Sequence, residues 1–129
     1  MKRLFIYTGL MLALVIGFTS CYKDIINPVL EEDPDGPPKQ VSFKTELAPL
    51  FNSNCAKSGC HNNSAGSHKP YLETDISYVQ IVNGGFVNVA VPKASILYIN
   101  IYGEMSEFIP SKTDKQKVYD WIRNGAPNN

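Results

Sequence analysis

Eight consecutive residues, Glu31-Glu32-Asp33-Pro34-Asp35-Gly36-Pro37-Pro38, confine the folded part of this 129-residue chain to its C-terminal side. The segment is acidic, broken by proline and glycine, and carries no aliphatic or aromatic side chain, so it has nothing to bury against the entropy of ordering it. Its prolines favour extended backbone. Residues 21 to 40 therefore read as a flexible tether. Residues 41 to 129 read as one small domain, near the lower size at which a hydrophobic core alone suffices.

The part before the tether, residues 1 to 20, reads as a targeting segment. Lys2 and Arg3 give a basic start, and residues 4 to 18 form an apolar run too short and too poorly flanked for a membrane span. It ends in Thr19-Ser20-Cys21. Small residues before a cysteine at this place resemble the bacterial lipoprotein cleavage box, in which the cysteine is acylated and becomes the new N-terminus. The alternative is an ordinary secretory signal that leaves Cys21 a free thiol. The cysteine count bears on the choice, because three is odd and an exported protein with one unpaired thiol needs an explanation. Acylating Cys21 leaves an even pair. It would also anchor the domain to a bacterial membrane by lipid, on the periplasmic or outer-membrane side of the cell envelope. Twelve basic and twelve acidic residues cancel, and removing Lys2 and Arg3 leaves the exported part mildly acidic. With no basic patch, nucleic acid is excluded as a partner.

The even pair lies in Cys55-Ala56-Lys57-Ser58-Gly59-Cys60-His61. Two cysteines ending in Cys-His are the attachment signature of a c-type haem, in which each thiol adds across a vinyl group and the adjacent histidine ligates the iron. The usual spacing between the cysteines is two residues and here it is four, so the loop must bulge. Gly59 is suited to supply the bulge. Two other readings compete: a Cys55–Cys60 disulfide with His61 on the surface, and a zinc site. Zinc wants four nitrogen or sulfur ligands, and only Cys55, Cys60, His61 and His68 could meet that number. No histidine lies outside this region to serve a nucleophile and the carboxylates are scattered, so a hydrolase is excluded.

Residues 41 to 129 read as helical. A first helix spans about residues 45 to 54 with Leu47, Leu50 and Phe51 on one face, and Pro49 is tolerated only if the regular helix begins close to it. Thr74 is placed to cap a second helix through Ile76, Val79 and Val82, stopped by Asn83-Gly84-Gly85. Ser95 starts a third through Ile96, Leu97 and Ile101, with a strand as the competing assignment for its β-branched residues. In the last, Thr113 with Gln116 reads as a capping box, Val118, Trp121 and Ile122 as the core stripe, and Gly125 with Pro127 as the stop.

Taken together, Leu47-Ala48-Pro49-Leu50-Phe51 running into Cys55, then Cys60-His61, Ala94-Ser95-Ile96-Leu97-Tyr98, and Trp121-Ile122-Arg123-Asn124-Gly125-Ala126-Pro127-Asn128-Asn129 resemble small exported bacterial c-type cytochrome domains of the lipoprotein kind. The resemblance covers residues 41 to 129. It departs in the cysteine spacing and at Met105-Ser106-Glu107-Phe108-Ile109-Pro110, where the family usually has Met followed directly by Pro. It implies an all-α domain of three to four helices around one covalent haem c, with His61 as proximal and Met105 as distal iron ligand. The implied function is single-electron exchange with redox partner proteins rather than an enzymatic reaction. Met105 is the only methionine beyond the targeting segment, and His68 is the other candidate for the distal position. A haem-free binding or structural lipoprotein is the second function class, and a haem enzyme of peroxidase type the third.

Overall fold

The computed structural model of the chain describes residues 34 to 129, where every regular element is helical and none is a strand. The segment read as targeting, Cys21 and most of the segment read as tether lie outside the described residues. Helix α1 is Ala48–Asn54, α2 is Ser77–Val82, α3 is Ile96–Tyr102 and α4 is Lys112–Arg123. A wide turn of π type, Phe43–Leu47, leads into α1, and a single 3-10 turn, Pro92–Ala94, precedes α3.

Pro49 explains the wide turn. An α-helix beginning at Thr45 would need a hydrogen bond from residue 49, and proline has no N–H to give while its ring clashes with the carbonyl four residues back. The chain instead closes i to i−5 bonds, Leu47 N–H to the Ser42 carbonyl at 3.3 Å and Ala48 N–H to that of Phe43. Regular α-helix begins only at Ala48, so Pro49 falls in the first turn, where its missing donor costs nothing. Ser42 caps the entry by accepting from Thr45 N–H, and the Glu46 carboxylate accepts from Ser42 N–H at 3.0 Å. That backbone donor, with Lys117 alongside, holds the Glu46 carboxyl below its ordinary range.

The core gathers around Trp121. Its ring lies 5.1 Å from Phe43 and its neighbour Tyr78 meets Phe43 edge-on at the same separation, while Phe51, Leu47, Ile81, Val118 and Ile122 complete a fully buried cluster. The indole N–H donates to the Pro127 carbonyl at 2.9 Å. This bond is available because α4 ends in a Schellman turn: Gly125 N–H meets the Ile122 carbonyl, Ala126 N–H meets that of Trp121, and Gly125 takes φ +87°. The tail then returns to the start of the domain, where Asn129 accepts from Phe43 N–H at 2.8 Å and from Lys44 N–H at 2.9 Å.

The caps of α2 and α4 and the buried face of α2 differ from expectation. Thr74 does not cap α2; the helix begins at Ser77, whose hydroxyl reaches back to the Thr74 carbonyl at 3.4 Å. Its buried face is Ser77 and Ile81, one helical turn apart, while Val79 is 53% exposed. The cap of α4 is Ser111, which accepts from Asp114 N–H, so Thr113 lies inside the helix. Gln116 is turned instead to Asp120 and to the Pro34 carbonyl. For residues 96 to 102, helix prevails over strand because Leu97 and Ile101, four apart, are the buried pair.

The end of the segment read as tether is laid along α4. Arg123 donates to the Gly36 carbonyl at 2.7 Å, Asn124 to that of Lys39 at 2.7 Å, and the Tyr119 hydroxyl to the Asp35 carboxylate at 3.0 Å. Lys93 pairs with Asp35 at 2.7 Å and, with Tyr119, holds its carboxyl below the ordinary range. Beneath this strap the buried Asp120 carboxylate accepts from Arg123, Gln116 and Lys39 N–H, the kind of compensation a buried charge requires. The packed unit thus extends back to Pro34.

Replacing Trp121 with Ala should cost about 3–5 kcal/mol, the usual range for an aromatic removed from a closed core. Urea denaturation of wild type and Trp121→Ala measures it. A loss below about 1 kcal/mol would show that the Phe43 cluster does not depend on the indole.

Candidate functional site

The site begins where α1 stops. Cys55 is the C-cap, its N–H bonded to the Phe51 carbonyl at 2.8 Å, and its own carbonyl becomes the hub of the next loop. It accepts from Lys57 N–H at 2.8 Å and from His61 N–H at 3.2 Å, so the chain from Cys55 to His61 closes on itself. Gly59 makes the bend with φ +75°, a conformation that side chains other than glycine rarely take. The four-residue spacing is thereby absorbed within the loop. Cys55 and Cys60 stand at its two ends as free thiols, Cys55 half-buried and Cys60 exposed.

A second layer of backbone bonds orients His61. Its carbonyl accepts from Leu72 N–H, and the Cys60 carbonyl from His68 N–H, both at 2.7 Å. The chain folded over in this way brings two carbonyls to the His61 ring, those of Pro70 and His68, at 3.0 and 3.1 Å from Nδ1. Carbonyls only accept, so Nδ1 must carry the proton. The lone pair of the neutral ring is then on Nε2, free to ligate a metal.

Between this loop and α3 lies an open cavity of about 290 Å³. Its wall is largely apolar, with Phe51, Leu72, Phe86, Leu97, Ile101 and Ile109 contributing. Cys55, Cys60, His61, His68 and Met105 all line it, so every residue singled out by the sequence in the domain meets at one cavity. Met105 comes from the turn after α3, where the Asn100 carbonyl accepts from both Gly103 N–H at 3.1 Å and Met105 N–H at 2.9 Å. Gly103 is required at that turn, since a Cβ there would come within 2.8 Å of the Ile99 carbonyl oxygen. His68 is exposed, and its backbone is held on the Nδ1 side of His61, remote from Nε2.

The thiol environments differ. Burial pushes the Cys55 thiol up to about 11, reinforced by the neighbouring Cys60 and opposed weakly by Lys57. Among the described residues no three or more His, Cys, Asp or Glu side chains are grouped to hold a metal ion, so the four zinc ligands that the sequence offers do not form such a cluster. Sequence reasoning missed the carbonyls of His68 and Pro70, which act through the main chain and have no residue-type signature. It missed Asn100 as well, whose place on the cavity wall follows only from the rotation of α3.

In comparisons with protein-family models, curated proteins and solved structures, nothing matches this chain.

The raised Cys55 thiol is testable in the protein with both cysteines free. A shift from the ordinary 9.0 to about 11 lowers the thiolate fraction near pH 8 about a hundredfold. Cys55 should therefore be alkylated by iodoacetamide about tenfold more slowly than an ordinary thiol, because the greater nucleophilicity of the more basic thiolate offsets part of its scarcity, and its rate should climb until the pH passes about 11. Peptide mass spectrometry of timed reactions follows each cysteine. Equal labelling of Cys55 and a model thiol at pH 8 would refute the burial argument.

Proposed function

We propose that this chain is a monohaem c-type cytochrome-like lipoprotein that carries single electrons at the cell envelope. The observation that carries the reading is the state of His61: with Nδ1 bonded to the Pro70 and His68 carbonyls, Nε2 is left as the ligating nitrogen beside two free thiols on an apolar cavity. Metal-ligating histidines characteristically donate their other N–H to such an acceptor, which fixes the tautomer and raises the basicity of the ligand. A surface histidine next to a structural disulfide would need neither the two acceptors nor the cavity.

The donor set fits a covalent haem. Cys55 and Cys60 would hold it by thioethers, His61 would be the proximal ligand and Met105 the distal one. When bound, haem supplies reversible one-electron chemistry, with its potential set by axial ligands and burial. The chain's own part is to hold and enclose. Phe51, Leu72, Phe86, Leu97 and Ile101 give the cavity its apolar wall, and the His68 and Pro70 carbonyls hold the His61 proton on Nδ1. Met105 is favoured over His68 as the distal ligand because the His68 backbone is tied to His61 on the wrong edge of the ring. No catalytic step is assigned; the partners are redox proteins.

Attachment is tested by expressing the chain with a c-type maturation system. The denatured protein should retain covalent haem, seen as peroxidase staining on a gel and a mass increase of one haem. Met105→Ala should keep that mass but lose the sulfur-to-iron charge-transfer band of the oxidised form. A colourless product whose mass shows only a Cys55–Cys60 disulfide would replace this reading with the haem-free one.

The anchor reading rests on the sequence at Cys21. No helix among the described residues is long and apolar enough to cross a membrane. Cys21→Ser should release the domain into the soluble fraction, because acyl chains rather than a span are proposed to hold it. Continued sedimentation of the processed Cys21→Ser protein with membranes would show that something other than lipid holds it.

A further inference from the structure

Helix α3 reads Ile96-Leu97-Tyr98-Ile99-Asn100-Ile101-Tyr102, and Asn100 is its one side chain that is neither aliphatic nor aromatic. Asparagine is a poor choice for a helix interior, since its amide competes for backbone bonds. Here it is half-buried. Leu97, Asn100 and Ile101 sit at i, i+3 and i+4, and all three line the cavity. Among the described residues the Asn100 amide has no hydrogen-bond partner. Of the other amide and ammonium groups on the wall, Asn54 donates to the Leu50 carbonyl and Lys57 is exposed. Asn100 thus places an amide without a protein partner on a largely apolar wall.

The same residue already governs Met105 through its main chain. Its carbonyl accepts from Met105 N–H at 2.9 Å and so fixes where the methionine leaves the turn. Once the cavity is filled, the amide loses access to water, and an enclosed donor without a partner is costly. A thioether sulfur is a weak acceptor with two lone pairs. Met105 lines the same cavity, from the turn that the Asn100 carbonyl organises.

We infer that Asn100 is a positioning residue for Met105: its side-chain amide donates to the thioether, directing the remaining sulfur lone pair toward the iron, while its carbonyl holds the Met105 backbone. This deepens the haem reading and rests on it. One residue then fixes both ends of the distal ligand. The side chain and the carbonyl separate cleanly in experiment, because every substitution at position 100 keeps the carbonyl.

The test uses the haem-loaded full-length chain, with Asn100→Leu as a near-isosteric variant lacking the donor and Asn100→Ser as one that keeps a shorter donor. Imidazole is titrated into the oxidised protein, and displacement of Met105 is followed by loss of the sulfur-to-iron charge-transfer band. Imidazole should bind Asn100→Leu about five- to tenfold more tightly than wild type, the worth of one net hydrogen bond, with Asn100→Ser between. In the reduced wild-type protein the Asn100 side-chain NH2 protons should exchange slowly by NMR. Unchanged imidazole affinity in both variants overturns the inference, and so does unchanged affinity with only a fall in melting temperature, which would make the role merely structural. Unchanged affinity with an altered pH dependence of the midpoint potential overturns it too, and reassigns the amide to a carboxylate of the bound group. If Asn100→Leu does not fold, Asn100→Ser alone decides, through raised or unchanged imidazole affinity. Haem-loaded wild type without the charge-transfer band defeats this inference while leaving attachment intact; wild type without covalent haem defeats the functional reading and this inference together.

Discussion

The indole of Trp121 is where the two ends of the domain are joined. Its ring packs on Phe43 at the entry to α1, and its N–H takes the Pro127 carbonyl just after α4 has turned back on itself. Neither end would hold alone: the entry is a single wide turn forced by Pro49, and the exit depends on left-handed backbone at Gly125. Because Cys55 caps the helix that Phe43 introduces, the thiol loop inherits its position from this junction. The cavity is built at the far end of α1 from the Trp121 junction.

Two different kinds of order then meet at the cavity. The loop bearing Cys55, Cys60 and His61 is held almost wholly by main-chain hydrogen bonds, with the Cys55 carbonyl accepting twice and His61 receiving two carbonyls at one nitrogen. The opposite wall is held by apolar packing, with Leu97 and Ile101 buried, while the Asn100 carbonyl accepts from Met105 N–H at the turn that follows. Main-chain bonds fix direction, which a ligating imidazole needs. Packing fixes distance, which suits a thioether on a flexible side chain.

The helical content is legible in sequence wherever a buried stripe has the helical period, and α4 is the clearest case because Val118, Trp121 and Ile122 face one way. Its cap is not, because Ser111 to Asp114 and Thr113 to Gln116 offer similar patterns two residues apart, and only packing selects between them. The face of α2 escapes for another reason: its buried partner to Ile81 is Ser77, a polar residue that no apolar count would enlist. The acidic, proline-rich stretch has too few apolar side chains to form a core. Its last residues nevertheless find order on Tyr119, Arg123 and Lys93, side chains far away in sequence. At the candidate site, residue types point to Cys55, Cys60, His61 and Met105, which do line one cavity. The carbonyls behind His61 are invisible in sequence because every residue has one.

The helices other than α4 are short: seven residues in α1, six in α2 and seven in α3, against twelve in α4. Helices of that length lie well below the roughly 12–15 residues at which a segment begins to hold itself in water. Their order is therefore borrowed from what they pack against. Opening free energies should grade across the domain, with α4 and its aromatic neighbours exchanging amide protons only on global unfolding and α3 with its turn opening at far lower cost. Whatever fills the cavity binds the folded chain alone and so closes that gap. On the proposed haem reading, the cofactor would be the last piece of the core rather than a passenger in a finished one.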